Sequence, residues 1–350
     1  MIEHETALTK LARVLDVDRA EVDFLAHLPV ADLRALLWQT CDELAAADAK
    51  RLAGVLAAAR LVPAGLAASI GEKWFGPVLC ARLVGQIEPK RAPAYAKALS
   101  VGFMADITAR ADPRAAGRLV HELDLKTMQR IATKILERGD HLTLSHFVPH
   151  IPPSYVAAIL EAIDDNAAVV RIARFVDDVD VHLDPVVALL PDDRIVALVA
   201  AVQAEDLWVD GLHLFGQLGD EQITRIASTI IRREPEAVAA VLEAFDRHGL
   251  WAEGLRLVEH LDERDLARFA DALLVLDDRT IRSAVDVIDE HGAWSVLVRV
   301  ALVAGDLGPD LRARLRELVD ALPKKKVKAF ESAAKEAGHP DLLRTVLAPT

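Results

Sequence analysis

The 350-residue sequence is short of several things at once. It has two cysteines, Cys41 and Cys80, too few for a disulfide framework and without CxxC spacing, which is the usage of a reducing compartment. Aromatic residues make up only 5%, and no run sustains a period of two, so a sheet-based architecture is not expected. Basic residues are in deficit: 41 Lys and Arg against 54 Asp and Glu leave a net charge of −13. That balance repels phosphate backbones and sets nucleic acid aside as a partner.

Long apolar runs are missing too. The most apolar stretch, Leu52 to Gly71, is rich in small residues and broken by Arg60 and Pro63, which reads as buried helix and turn, with no integral membrane segment. The amino terminus, Met1-Ile-Glu-His-Glu5, has neither the basic nor the apolar region of a signal peptide, so a cytoplasmic location is expected. There is no Gly-rich phosphate loop, no HExxH and no GxSxG. No catalytic residue, cofactor or metal site follows, and a non-enzymatic role is expected.

What the chain does have is self-similarity. From Gly211 it realigns on itself 43 positions later: Gly211 meets Gly254, Leu214 meets Leu257, Leu218 meets Leu261 and Ala227 meets Ala270. Asp246-Arg-His248-Gly249-Leu-Trp251 returns as Asp289-Glu-His291-Gly292-Ala-Trp294. A shorter theme of two apolar residues, two variable ones, one apolar residue and then Pro, Asp, Glu or Gly runs more widely. Examples are Phe24 to Pro29, Leu83 to Glu88, Leu119 to Asp124, Phe147 to Pro152, Val186 to Pro191, Leu257 to Asp262 and Leu318 to Pro323.

A theme ending in Pro or Asp reads as a short helix, a tight turn and the start of a longer helix. Pro loses nothing at a first helical position, and Asp caps orphan amides. In the longer helix Ile223, Ile226, Ala227 and Ile230 hold the 3.6 period. Such a pair cannot bury its stripe alone, so neighbours must stack, and the 43-residue units have room for a third helix. The expected fold is all-α, an α-solenoid of stacked hairpins and three-helix repeats. Residues 1–110 follow the theme less well than 111–350, placing a soft boundary between an irregular helical region and the repeats, within what is equally read as one continuous domain.

The helix starts at Leu28-Pro29, Ile151-Pro152, Leu190-Pro191 and Leu322-Pro323 resemble the helical repeats in the cytosolic amino-terminal domain of MgtE-type magnesium transporters. Over residues 115–345 the resemblance implies an armadillo-like solenoid. Neither the nucleotide-binding-like module nor the membrane helices of such transporters accompany it, so transport is not implied.

Few residues invite chemistry. His141, His146 and His150 lie close in sequence, but Pro149 interrupts them. His150 also fills a theme slot held elsewhere by His27, Gln86, Gln217 and His260, where Gln would ligate zinc poorly; a repeated polar contact to a neighbouring turn is the expectation. His248 and His291, each before a Gly, read as helix ends, Trp251 and Trp294 as core anchors, and the Asp pairs at 164, 177, 192 and 277 as solvated helix starts. Lys324, Lys325 and Lys326, with Lys328 beyond, stand where other helix starts carry acids. Each is unfavourable there by roughly a few tenths of a kcal/mol, which makes them a candidate contact for an acidic partner. Trp74, Phe75, Phe103 and Met104 lie beside Gly or Pro and are candidate contacts for an apolar ligand or partner. The leading expectation is a scaffold or adaptor that docks a protein partner. The alternative is a carrier or sensor holding an apolar small molecule between helices.

Overall fold

The computed structural model describes residues 2–233, 235–304 and 309–347. It is all-α: about 78% of the chain is helical, in some 23 helices, and no strand occurs among the described residues.

Helix starts follow from local chemistry. The side chains of Asp124, Asp140, Asp165, Asp262 and Asp277 accept from the backbone N–H three residues on, satisfying amides that have no partner within the helix. The prolines serve one position further out than expected. Pro29, Pro152, Pro191 and Pro323 each precede the first helical residue, with ψ near 140–155°. Their ring fixes φ near the value the turn needs, and their carbonyls accept the first helical bonds, as Pro29 does from Asp32 and Leu33.

Packing proceeds along the chain, helix on next-but-one helix. Ile2–Leu15 lies on Val30–Leu61, Ala64–Ile70 on Ala92–Ala98, and Val101–Thr108 on Leu125–Leu136. Further on, Pro235–His248 packs on Glu263–Ala272, which packs on Trp294–Ala304, which packs on Lys324–Glu336. Trp208, Trp251 and Trp294 open helices at the 43-residue interval, and all three are buried. The two intervals each hold three helices, as the spacing predicts. The Phe245 ring stands edge-on between Trp208 and Trp251, centroids 6.1 and 5.9 Å away. Gly254 is required by that packing, since a Cβ there would lie 2.3 Å from Phe245 Cδ2. Gly249 and Gly292 take the left-handed conformation, φ +66° and +67°. The capping reading of the two His-Gly pairs therefore holds.

Arginines among the described residues bond to backbone far upstream. Arg91 donates to the carbonyls of Ala59 and Val62, Arg118 to Gly85, Arg138 to Gly102, Arg225 to Leu190, Arg256 to Gly216, Arg299 to Glu259 and Leu261, and Arg314 to Leu276. Apart from Gly102, these carbonyls sit at helix carboxyl ends or the turns just after them, where acceptors lack intrahelical donors and the helix dipole favours a cation. Arg225, Arg256 and Arg314 also meet the acid that opens a helix, Asp192, Asp220 and Asp278, whereas Arg138 meets Asp106 in the last turn of Val101–Thr108.

The chain divides into two compact units, Met1–Leu189 and Leu190–Thr350. Position 110 falls inside the first, where the flanking helices Val101–Thr108 and Leu125–Leu136 pack together. That unit also ties its own first helix to its far end. Lys10, almost fully buried, lies 2.5 Å from Asp177, Arg34 reaches the same carboxylate at 2.9 Å, and Arg13 forms a two-bond fork with Asp140.

Candidate functional site

The first unit contains an apolar cavity of about 300 Å³. Its walls come from successive helices: Val55, Leu56 and Ala59 of Val30–Leu61, Ala67 and Ala68 of Ala64–Ile70, Leu83 and Val84 of Gly76–Val84, and Ala92, Tyr95 and Ala96 of Ala92–Ala98. Met128, Ile131, Ala132 and Ile135 of Leu125–Leu136 continue the wall, and Val156, Ile159 and Leu160 of Pro153–Leu160 extend it. Many lining residues are alanines, so facing helices leave space between them that a larger side chain would fill.

Hydrogen-bonding side chains are few and mostly gathered in one stretch. Gln86, Glu88, Arg91 and Tyr95 line the cavity within ten residues of one another. Arg91 is fixed there by its bonds to the Ala59 and Val62 carbonyls, at 3.3 and 3.2 Å, and its guanidinium lies 5.4 Å from the Tyr95 ring centre. Thr108, elsewhere on the wall, donates to the Met104 carbonyl and is satisfied within its own helix. Cys80 also lines the cavity, with burial pushing its thiol pKa up. Cys41, buried in a separate cluster, is pushed up to about 11, chiefly by burial.

The four apolar candidates divide. Phe75 and Met104 line the cavity. Phe103 is buried but is not part of the wall, and Trp74 is 81% exposed. Trp74 and Phe75 sit on a π-helical turn, Gly71–Phe75, ended by Gly76 at φ +75°. The Leu52 to Gly71 stretch is helix and turn as expected, but not buried throughout, because Leu61 is 87% exposed and Leu66 and Ile70 are exposed as well. Nothing in local sequence distinguishes an apolar residue facing solvent from one facing a neighbouring helix.

The lysine cluster opens the Lys324–Glu336 helix, and the fold answers part of it. Lys326 pairs with Asp286, and Lys325 lies 3.9 Å from Asp289. Lys324 and Lys328 are exposed. Acids in place of Lys325 and Lys326 would face Asp289 and Asp286 instead of relieving a mismatch with the dipole.

The histidines do not converge. His146 is half-buried, with Nε2 shielded from solvent and without a hydrogen-bond partner among the described residues, and desolvation lowers its pKa to about 3, reinforced by the Lys10 charge. His150 stands edge-on to Trp38, ring centres 6.2 Å apart. Among the described residues no group of three or more His, Cys, Asp or Glu is placed to hold a metal. The shared theme slot makes mostly local bonds. His27 bonds to the Phe24 carbonyl and Gln217 to His213, whereas His260, besides bonding to the Arg256 carbonyl, reaches Asp220 in the neighbouring turn at 3.2 Å.

No protein-family model, no curated protein and no solved structure matches this chain. Its own geometry therefore has to carry the functional reading. No helix among the described residues is long and apolar enough to cross a membrane.

Sequence reasoning missed Gln86, Glu88, Arg91 and Tyr95. The available signal was the 59-residue gap in the theme between Phe24 and Leu83. It spans the Ala-rich helices whose small side chains leave the cavity open.

Proposed function

We propose that the Met1–Leu189 unit is a carrier or sensor for an elongated apolar small molecule with one polar end, such as a fatty acid. The observation behind this is the cavity of about 300 Å³, which is at the lower end of the roughly 300–1,000 Å³ range of ligand pockets. The pocket opens to solvent beside exposed Phe75, Gln86 and Glu88, so a hydrocarbon chain could enter and displace water from apolar wall, at roughly 25 cal/mol per Å² of apolar surface covered. The stretch holding Gln86, Glu88, Arg91 and Tyr95 would orient a polar head.

The surrounding architecture is read as an armadillo-like α-solenoid without catalytic function, in which next-but-one helix packing and arginine caps link successive pairs. The candidate acidic-partner contact at the lysine cluster is reduced, because Asp286 engages Lys326, although Lys325 stays largely exposed.

Organic extraction of protein purified from its own host, followed by mass spectrometry, should release a lipid-like compound near one per chain. A fluorescent fatty acid should bind the stripped protein and slow alkylation of Cys80, which lines the cavity. Ala96→Phe should cut binding about tenfold or more without lowering the melting temperature, since it replaces space with apolar contact. Unchanged binding in that variant, or alkylation indifferent to the fatty acid, would refute the reading.

A further inference from the structure

Building on the reading of the cavity as an apolar-ligand site, we propose that the outer face of residues 64–75 docks on an anionic lipid membrane, the source from which the cavity is loaded. This short run has two faces. Ala67, Ala68, Gly71 and Phe75 line the cavity, while Leu66, Ile70 and Trp74, spaced four apart, project together into solvent. Leu61, at the end of the preceding helix, adds to the exposed apolar surface. Large apolar side chains concentrated in one short stretch mark an interaction surface, and a Trp among them is the side chain that favours the membrane interface, apolar in body and polar at the ring N–H.

Charge chooses the occupant. Residues 49–110 hold nine Lys and Arg against only Glu72, Glu88 and Asp106, in a chain whose net charge is −13. Lys73 is exposed beside Trp74. Lys97 is exposed on Ala92–Ala98, the helix packed against Ala64–Ile70, and Lys90 is exposed on the turn Pro89–Arg91 just before that helix; none of the three lysines forms an ion pair among the described residues. An anionic bilayer attracts such cations at about 1 kcal/mol each near its surface and repels acidic surface, so approach by this face is favoured. Seating Leu66, Ile70 and Trp74 among headgroups would bring the cavity wall they share to the apolar phase, as an interfacial amphipathic segment does.

Flotation of the full chain with vesicles of equal parts phosphatidylcholine and phosphatidylglycerol tests this. The protein should float with them and not with phosphatidylcholine alone. Raising salt from about 0.1 M to about 1 M, which shortens screening from about 10 Å to about 3 Å, should release it. Brominated lipid should quench part of the tryptophan emission, and Trp74→Phe should abolish that quenching while flotation persists. Leu66→Glu combined with Ile70→Glu should lower the bound fraction about tenfold or more with an unchanged thermal melt, because both residues are already exposed. That double variant should still take up a fatty acid supplied from solution, and Ala96→Phe should still float, so a failed docking face and a failed cavity give different results. Absence of flotation on the anionic vesicles, or flotation indifferent to the double substitution, would overturn the proposal.

Discussion

His146 is held where an imidazole cannot easily take a proton. Its Nε2 is shielded from solvent and has no hydrogen-bond partner among the described residues, and its pKa falls from the ordinary 6.5 to about 3, first through desolvation and then through the Lys10 ammonium. The sign of the linkage follows. Above pH 6.5 the group is neutral folded or unfolded and costs nothing. Between 6.5 and about 3 the unfolded chain takes up a proton that the native state refuses, so stability falls by up to about 1.4 kcal/mol per pH unit. His146→Phe, close in shape and without the titration, should flatten that part of the acid limb. Urea midpoints at pH 7 and pH 5 should therefore lie closer together in the variant than in the parent protein. An equal drop in both would mean that carboxylates alone set the acid response. Neighbouring Asp140 shows the opposite balance. Burial works to raise its pKa, but hydrogen bonds from Arg13 and Thr143 and the Arg13 charge outweigh it and leave the carboxyl below its usual range.

At the scale of elements, the arginine caps make the clearest energetic statement. Arg299 donates to the Glu259 carbonyl at 2.8 Å and to the Leu261 carbonyl at 2.5 Å, closing the end of Trp251–Glu259 from the helix Trp294–Ala304. Arg299→Met keeps most of the apolar stem and removes both donors. Two carbonyls then lose their partner, at roughly 1–3 kcal/mol for each that water cannot reach. A thermal melt should fall by several degrees, and Arg299→Lys should recover only part of it, because an ammonium lacks the planar fork. A melt unmoved by Arg299→Met would show that water serves these carbonyls as well. The sequence makes the helix starts legible and leaves the arginine caps hidden. Asp124, Asp262 and Asp277 cap amides three residues away, so the signal lies within one short window. Arg299 bonds to residues 38 and 40 positions upstream, a relation visible only once the helices have stacked. The cavity is harder still to read. It arises where Ala59, Ala67, Ala96 and Ala132 from four helices face a common space, and each alanine alone reads as ordinary helix.

For the molecule as a whole, the division at Leu189 and Leu190 separates two kinds of content. The 43-residue register and its tryptophans lie in the second unit, whereas every residue lining the large cavity lies between positions 55 and 172, within the first. The first unit is also closed on itself. Lys10–Asp177, Arg34–Asp177 and Arg13–Asp140 fasten its opening helix and the start of the next to its far end. Of these only the Lys10 ammonium is buried, and breaking a buried ion pair typically costs about 3–5 kcal/mol, whereas the more exposed arginine pairs are each worth about 1 kcal/mol or less. A fragment of residues 1–189 keeps all of these partners, so it should fold by itself. It should melt in one cooperative transition and bind a fluorescent fatty acid with an affinity within about threefold of the full chain. Residues 190–350 should melt cooperatively but bind none, since the smaller cavity in that unit, about 130 Å³, is well below the size of ordinary ligand pockets. Circular dichroism melts and titrations of the two fragments check both statements. A cooperatively folded 1–189 fragment that no longer binds would place the ligand site outside the cavity described here, whatever the full chain does.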